Sequence, residues 1–322
     1  MVRVLVYSRV RGEDYLDGLT RAAAGTGLEA RRAGTEEEAA SLAGWADVFF
    51  GAGLSPAVLL SMPGLRFIQW IWAGVDVPLS HPEFARALVE GRFRMARAVG
   101  VFDRSIAEYV MAFAYHVTKD IPGLMRAQAR QAWDRRPVEG LAGKVMGVVG
   151  FGSVGSAIAR LASASGLEVW GLRRTGSAGG RASPAVRMFG PEGLPDLVAG
   201  VDFLVLALPL TASTKGLMTG DLFRLMKPTS VLINVGRGAV IDEGDLVSAL
   251  KAGRPGWAVL DVFETEPLPG ASELWTIPNV VVTPHIAALS QPHDLVPLLL
   301  RNLENFRAGR PLEGEVRGDL GY

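Results

Sequence analysis

The sequence predicts an α/β protein of two domains, each built on a parallel sheet of the Rossmann or flavodoxin type. Three observations carry this reading. A chain of 322 residues is long for a single domain of ordinary size. From residue 2 onward, short apolar runs alternate with stretches of helical period, which is the pattern of βα units. The alternation then starts afresh at Lys144, after the polar stretch QARQAWDRRPVEG, so a second sheet is expected there.

The first series runs VRVLVY, DYLDGLTRAAA, ADVFFGAG, PAVLLSM and LRFIQWIW, each apolar run short enough for a buried strand. A longer helix is expected over about 104–120, with Asp103 as its N-cap and the Ile121-Pro122 step as its stop. The second series opens with KVMGVVG and a helix over about 153–165. It continues through LEVWGL, VDFLVLALP, SVLINVG, the helix IDEGDLVSALKAG, GWAVLDV and NVVVTP. A final helix, about 291–308, has no strand of its own to follow.

Composition narrows the function classes. An apolar fraction of 49% with 20% charged residues is that of a globular protein with a real core. Lys+Arg of 33 against Asp+Glu of 33 leaves no long-range field for nucleic acid or an anionic membrane, so a small anion is the better partner. With no cysteine, thiolate metal sites and cysteine nucleophiles are excluded. The segment MVRVLVYSRV alternates like a strand and lacks a signal-peptide apolar core, and no apolar run has membrane-spanning length. A cytoplasmic protein is expected.

Gly150-Phe151-Gly152-Ser153-Val154-Gly155 follows a buried strand and opens a helix. In that context the glycines allow a tight turn, close approach of backbone to a pyrophosphate, and packing of helix on strand, with the helix N-terminus facing the anion. A dinucleotide is therefore expected here. An acidic residue about 20 positions on would select NAD by holding the ribose diol. Arg173 and Arg174 stand there instead, followed by Thr175. Two guanidiniums suit a 2′-phosphate, so NADPH/NADP is the expected cofactor and NADH/NAD the second choice. The plain alternative is a solvated surface pair.

In VVTPHIAALS, one of only four histidines follows Pro284 at the end of an apolar run. Such a residue is either a hydrogen-bonded structural histidine or a proton donor. His81, His116 and His293 read as structural or surface residues.

The blocks NVGRGAVID (234–242), LDVFETEPLP (260–269) and TPHIAALS (283–290), in this order after the glycine loop, resemble those of the D-isomer-specific 2-hydroxyacid dehydrogenases. LALPLTASTKGLM, WIWAGVD and GVFDRSIAEYV extend the resemblance over most of the chain. The resemblance implies a cofactor domain, 99–289, inserted into a discontinuous substrate-binding domain, 1–98 and 290–322. By it, Arg237, Glu266 and His285 match the family's catalytic arginine, glutamate and histidine. Reducing a 2-oxo acid needs a proton donor beside the carbonyl oxygen, a carboxylate to hold that donor charged, and a fixed cation for the developing alkoxide.

The resemblance also implies a substrate-carboxylate site at Ala73, Gly74 and Val75, with Trp72 as a pocket wall. It implies cofactor contacts from Leu208, Pro209, Thr214, Val235 and Gly236, and from Asp261 to the nicotinamide carboxamide. Each residue has a bland alternative: Arg237 facing solvent, Glu264 or Glu266 as a solvated loop charge, Asp261 as a loop cap. The arginine pair resembles the glyoxylate and hydroxypyruvate reductases rather than NAD-type members. A small 2-oxo acid is the expected substrate, the D-hydroxy acid the product, and a homodimer the expected assembly. A dinucleotide-sensing corepressor or scaffold on the same fold, and a dehydrogenase of a bulkier acid, are the alternatives.

Overall fold

The computed structural model describes residues 1–25, 27–174 and 186–318. The chain divides into two compact units, Met1–Val101 with Leu289–Tyr322, and Phe102–Ala288.

The first unit holds five strands, β1 (Val2–Tyr7), β2 (Leu28–Ala33), β3 (Val48–Gly51), β4 (Phe67–Trp70) and β5 (Arg94–Ala96), all parallel, in the order β2-β1-β3-β4-β5. This is the flavodoxin-like order. Leu5, Phe49, Phe67 and Ile68 are fully buried, as expected where helices cover both faces of a parallel sheet. The covering helices are α1 (Gly12–Ala22), α2 (Glu36–Ser41), α3 (Pro56–Leu60), α4 (Asp76–Leu79) and α5 (Pro82–Val89). The chain's last helix, Pro292–Arg307, also belongs here. It buries Leu295, Leu298 and Leu299, and its Phe306 stacks on Phe67 at 5.5 Å. Its buried Asn302 donates to Gln69 Oε1 at 2.8 Å and to the Glu313 carbonyl at 2.9 Å, so its amide is paired within this core.

The second unit opens with α6 (Asp103–Thr118) and α7 (Ile121–Ala129). Its strands are β6 (Val145–Val149), β7 (Glu168–Leu172), β8 (Val186–Phe189), β9 (Phe203–Leu206), β10 (Val231–Asn234), β11 (Trp257–Leu260) and β12 (Val280–Val282). They form a seven-stranded sheet in the order β12-β11-β10-β9-β6-β7-β8, every pair parallel. This is the doubly wound dinucleotide-binding order with one strand added, and its direction reverses between β6 and β9. Helices α8 (Ser153–Ala164), α9 (Leu194–Gly200), α10 (Gly220–Leu225) and α11 (Glu243–Lys251) complete the unit. Val148, Leu204, Leu232 and Val259 are fully buried, which explains the uninterrupted apolar runs of the central strands.

Two local expectations are corrected, and one helix is added. Asp103 is the first residue of α6 rather than its cap, Phe102 taking the cap position. Helix α6 ends at Thr118, before the Ile121-Pro122 step as expected, but a further helix, α7, begins at Ile121. Proline is compatible with a first helical turn, and Asp120 caps α7 by accepting the Gly123 N–H at 3.1 Å. The apolar run before His285 forms a half-buried strand at the sheet edge rather than a buried one. Strand β8 lies in a stretch with little apolar pattern, its middle residues exposed, and had no sequence signal.

Candidate active site

The glycine loop lies at the point where the strand order of the second sheet reverses, between β6 and β9. Gly150 has φ 102°, and a Cβ there would stand 2.5 Å from the Ala207 carbonyl oxygen, so no other residue fits. The Leu172 carbonyl, at the end of β7, accepts from the N–H groups of Gly150 and Phe151, both at 3.1 Å, and so fixes the turn. Gly152 precedes Ser153, the first residue of α8, and no side chain caps that helix. A Cβ on Gly152 would meet nothing within 4 Å. Val154 and Gly155 complete the first turn, where Gly155 packs on the backbone of Gly150. Uncapped N–H groups beside open backbone are what a pyrophosphate needs, so these residues fit a dinucleotide.

Arg173 and Arg174 follow Leu172 directly, both exposed, at the end of the strand that neighbours β6. Thr175 lies outside the described residues. Across the reversal, Gly236 is held against Leu208, where a Cβ would stand 2.8 Å from that carbonyl oxygen. Val235 N–H bonds the Leu206 carbonyl at 3.1 Å. Thr214 closes its own loop, accepting from Thr211 N–H at 2.8 Å and donating to the Pro209 carbonyl at 2.7 Å.

Three side chains gather at the ends of β10, β11 and β12. His285 Nδ1 lies 2.8 Å from Glu266 Oε2. A carboxylate only accepts, so Nδ1 carries a proton and Nε2 is the ring atom left to exchange one. Glu266 is itself fixed, its other oxygen accepting the Phe263 N–H at 3.0 Å. The hydrogen bond to Glu266 raises the His285 pKa above its ordinary value, and the charges of Glu266 and Asp261 act in the same direction against burial and Arg237. Burial pushes Glu266 upward, but the bonds from His285 and Phe263, with the charges of His285 and Arg237, hold its carboxyl below the usual range. The pair therefore favours imidazolium beside carboxylate. Arg237 is half-buried, with Nη1 2.8 Å from the Gly236 carbonyl.

The backbone of His285 is in the left-handed region, φ 56°. Such a conformation costs a non-glycine residue about 1–2 kcal/mol, and it persists where surrounding bonds determine it. Here the His285 N–H donates to the Asp261 carbonyl at 2.9 Å. The Asp261 side chain, 1% exposed, accepts from Ile286 N–H at 2.8 Å, Ala287 N–H at 2.9 Å and Thr283 Oγ1 at 2.6 Å. Asp261 thus caps the histidine loop. This is the loop cap that the sequence left as the alternative to a cofactor contact. Thr283 lies at the end of the apolar run NVVVTP, where hydroxyl bonding leaves no periodic signal.

In the first unit, the turn after β4 is tied through its carbonyls. Ala98 N–H donates to Trp72 O at 3.1 Å, Arg97 Nη1 to Ala73 O at 3.2 Å, and Trp70 Nε1 to Gly74 O at 3.0 Å. In a trans peptide the C=O of one residue and the N–H of the next point opposite ways. The N–H groups of Ala73, Gly74 and Val75 are therefore turned away from those ties. Trp70 is buried, whereas Trp72 is 46% exposed with its ring edge-on to Trp70 at 5.8 Å.

The other histidines have no such surroundings. His116 packs on Phe113, and burial lowers its pKa. His293 is an exposed neighbour of Asp294. Among the described residues there is no cluster able to hold a metal, and no helix long and apolar enough to cross a membrane.

Comparison with known proteins gives the family of the chain. The model of the D-isomer specific 2-hydroxyacid dehydrogenase NAD-binding domain matches residues 111–287. Glyoxylate/hydroxypyruvate reductase A of Enterobacter sp. (strain 638) is 31% identical, over 83% of this chain and 85% of its own. A D-isomer specific 2-hydroxyacid dehydrogenase of Xanthobacter autotrophicus Py2, solved with NADPH and MES, superposes with TM-score 0.86 at 31% identity, covering 100% of this chain and 99% of its own. An NADPH-dependent glyoxylate/hydroxypyruvate reductase of Sinorhizobium meliloti, solved with NADP and sulfate, superposes with TM-score 0.89 at 28% identity, covering 100% of both chains. With a family match across the glycine loop and all three gathered side chains, and relatives that span most of its length, the chain belongs to the D-isomer-specific 2-hydroxyacid dehydrogenases and is an NAD(P)-dependent oxidoreductase.

Proposed function

We propose that the protein reduces a small 2-oxo acid of the glyoxylate or hydroxypyruvate type, with NADPH preferred, to the corresponding D-2-hydroxy acid. The observation that carries this is the 2.8 Å bond from His285 Nδ1 to Glu266, on a histidine held in a left-handed conformation. When bound, the reduced nicotinamide supplies the hydride. His285 then gives the proton on Nε2 to the substrate oxygen, and Glu266 keeps the ring oriented and charged. Arg237 presents a fixed positive charge to the oxygen as it becomes an alkoxide. The N–H groups of Ala73, Gly74 and Val75 can serve a carboxylate, which is the role we assign to them, with Trp72 as a wall. Phe102–Ala288 is the cofactor-binding unit in this reading and the other unit the substrate-binding one. The proposal extends to a homodimer in the cytoplasm. Exposed apolar side chains at Met125 and Trp133 support a pairing surface, and sedimentation at graded concentration checks the assembly.

Arg173 and Arg174 support the preference for NADPH, because exposed guanidiniums past the end of β7 can pair a 2′-phosphate. The relatives solved with NADPH or NADP point the same way. Arg173→Asp is expected to weaken NADPH binding by about 10- to 100-fold, the worth of a charged hydrogen bond, while NADH binding is kept or improved. Titration of the reduced cofactors into the variant measures this, and an unchanged NADPH affinity would make the arginines surface charges only.

Glu266→Gln removes the carboxylate that raises the His285 pKa. Reduction needs the protonated ring, so activity is lost as pH rises through that pKa, and the basic limb of the profile should move to lower pH in the variant. An unmoved limb contradicts the pairing. The proposal as a whole is tested by following NADPH and NADH oxidation over 2-oxo acids of graded size. Turnover confined to the small acids supports it. Tight cofactor binding with no turnover on any of them would instead favour a dinucleotide sensor.

A further inference from the structure

We propose that Tyr109 and Thr283 are positioning residues of this site, forming with Asp261 a relay of hydroxyl hydrogen bonds that sets the loop carrying His285. The inference rests on the reading of His285 given above. Tyr109 OH lies 2.5 Å from Thr283 Oγ1, and Thr283 Oγ1 lies 2.6 Å from Asp261 Oδ1. Proton counting fixes the direction. The carboxylate of Asp261 can only accept, so the single hydroxyl proton of Thr283 goes to Asp261, and Tyr109 must donate to Thr283. Burial holds the Tyr109 phenol above the usual tyrosine range, so it stays a donor at every pH of interest.

The end point of the relay holds the loop at four places. Through its side chain Asp261 takes Thr283, Ile286 and Ala287, and through its carbonyl it takes the N–H of His285 itself. Pro284, the remaining residue, has no N–H to give. Thr283 therefore acts on His285 through the loop: its hydroxyl bond to Asp261 fixes the backbone that sets the ring against Glu266. The charged groups facing His285 are Glu266 from the loop after β11, Arg237 from the loop after β10, and Asp261 at the end of β11. Glu266 and Arg237 stand outside the relay. Tyr109 reaches it from α6, where its ring is braced by Phe113 at 4.7 Å.

The test compares Thr283→Val, which keeps the shape and removes the hydroxyl, with Thr283→Ser, which keeps the hydroxyl, and with Tyr109→Phe. The His285 ring is titrated by NMR in each, its signal assigned by its absence in His285→Gln, and turnover is measured alongside. Thr283→Val is expected to lower the His285 pKa and to cut kcat by about tenfold, with NADPH affinity unchanged, in line with loss of one buried hydrogen bond. Thr283→Ser should restore both, and Tyr109→Phe should move both in the same direction by less. A His285 titration unchanged in Thr283→Val overturns the proposal, as does equal impairment of Val and Ser, which would make methyl packing the cause. If Thr283→Val does not fold, Tyr109→Phe decides: an unchanged titration and kcat there overturn it. The ring titration reads the relay whether or not His285 is the proton donor, whereas turnover of His285→Gln reads that role alone, so the two failures are distinguishable.

Discussion

His285→Gln is expected to fold with wild-type cofactor affinity and to lose about 10²- to 10⁴-fold in kcat for reduction of its 2-oxo acid, the range for removing a positioned general acid. Glutamine keeps a hydrogen-bonding side chain of similar reach but cannot release a proton at neutral pH. The glycine loop is untouched, since its turn is set by Leu172 at the end of β7, Gly150 after β6 and Gly155 in α8. The loss should therefore fall on turnover, with little change in NADPH binding measured by titration. The His285 side chain is half exposed, so its replacement leaves no cavity of consequence. Wild-type turnover in this variant would remove the proposed role of the residue.

Arg237→Met is expected to lower kcat by about 10²- to 10³-fold, the usual effect of removing one fixed donor to a developing oxyanion. It also has a signature in pH that no other substitution in the site shares. The Arg237 charge lowers the His285 pKa while Glu266 raises it. Removing the arginine should therefore move the basic limb of the reduction profile to higher pH while the rate falls, opposite to the movement expected for Glu266→Gln. The residue is placed by its neighbours. A Cβ at Gly236 would crowd the Leu208 backbone and one at Gly238 would run into the Phe263 backbone, so the glycines on either side let three chain segments meet at the backbone of Arg237. A pH profile that keeps its midpoint in Arg237→Met would separate the arginine from the histidine.

The parts of this account legible in the sequence are those written in period and in glycine. Alternating apolar runs gave the parallel strands, and the glycine loop marked the turn because backbone approach at Gly150 and Gly155 admits no side chain. Residues that act through polar side-chain bonds were harder to see. Tyr109, Thr283 and Asp261 lie 174 and 22 positions apart along the relay, a closeness that only the converging strand ends of the folded sheet produce. Helix α7 was hidden by Pro122, which reads as a stop unless the Asp120 cap before it is weighed. The pairing of His285 with Glu266 rather than Glu264 rested on resemblance; in the fold Glu266 reaches the ring, while Glu264 is exposed with its N–H bonded to Glu243.

The central claim is that the His285 imidazolium gives its proton to the substrate oxygen as the hydride arrives. Its most direct test is the pH dependence of the wild-type enzyme run in both directions, 2-oxo acid reduction with NADPH and 2-hydroxy acid oxidation with NADP. Reduction needs the charged ring and oxidation the neutral one. The account predicts that, as pH rises, the first rate falls and the second rises through a common midpoint lying above that of an ordinary histidine. Rates that change in the same direction, or a midpoint that survives in His285→Gln, would contradict it.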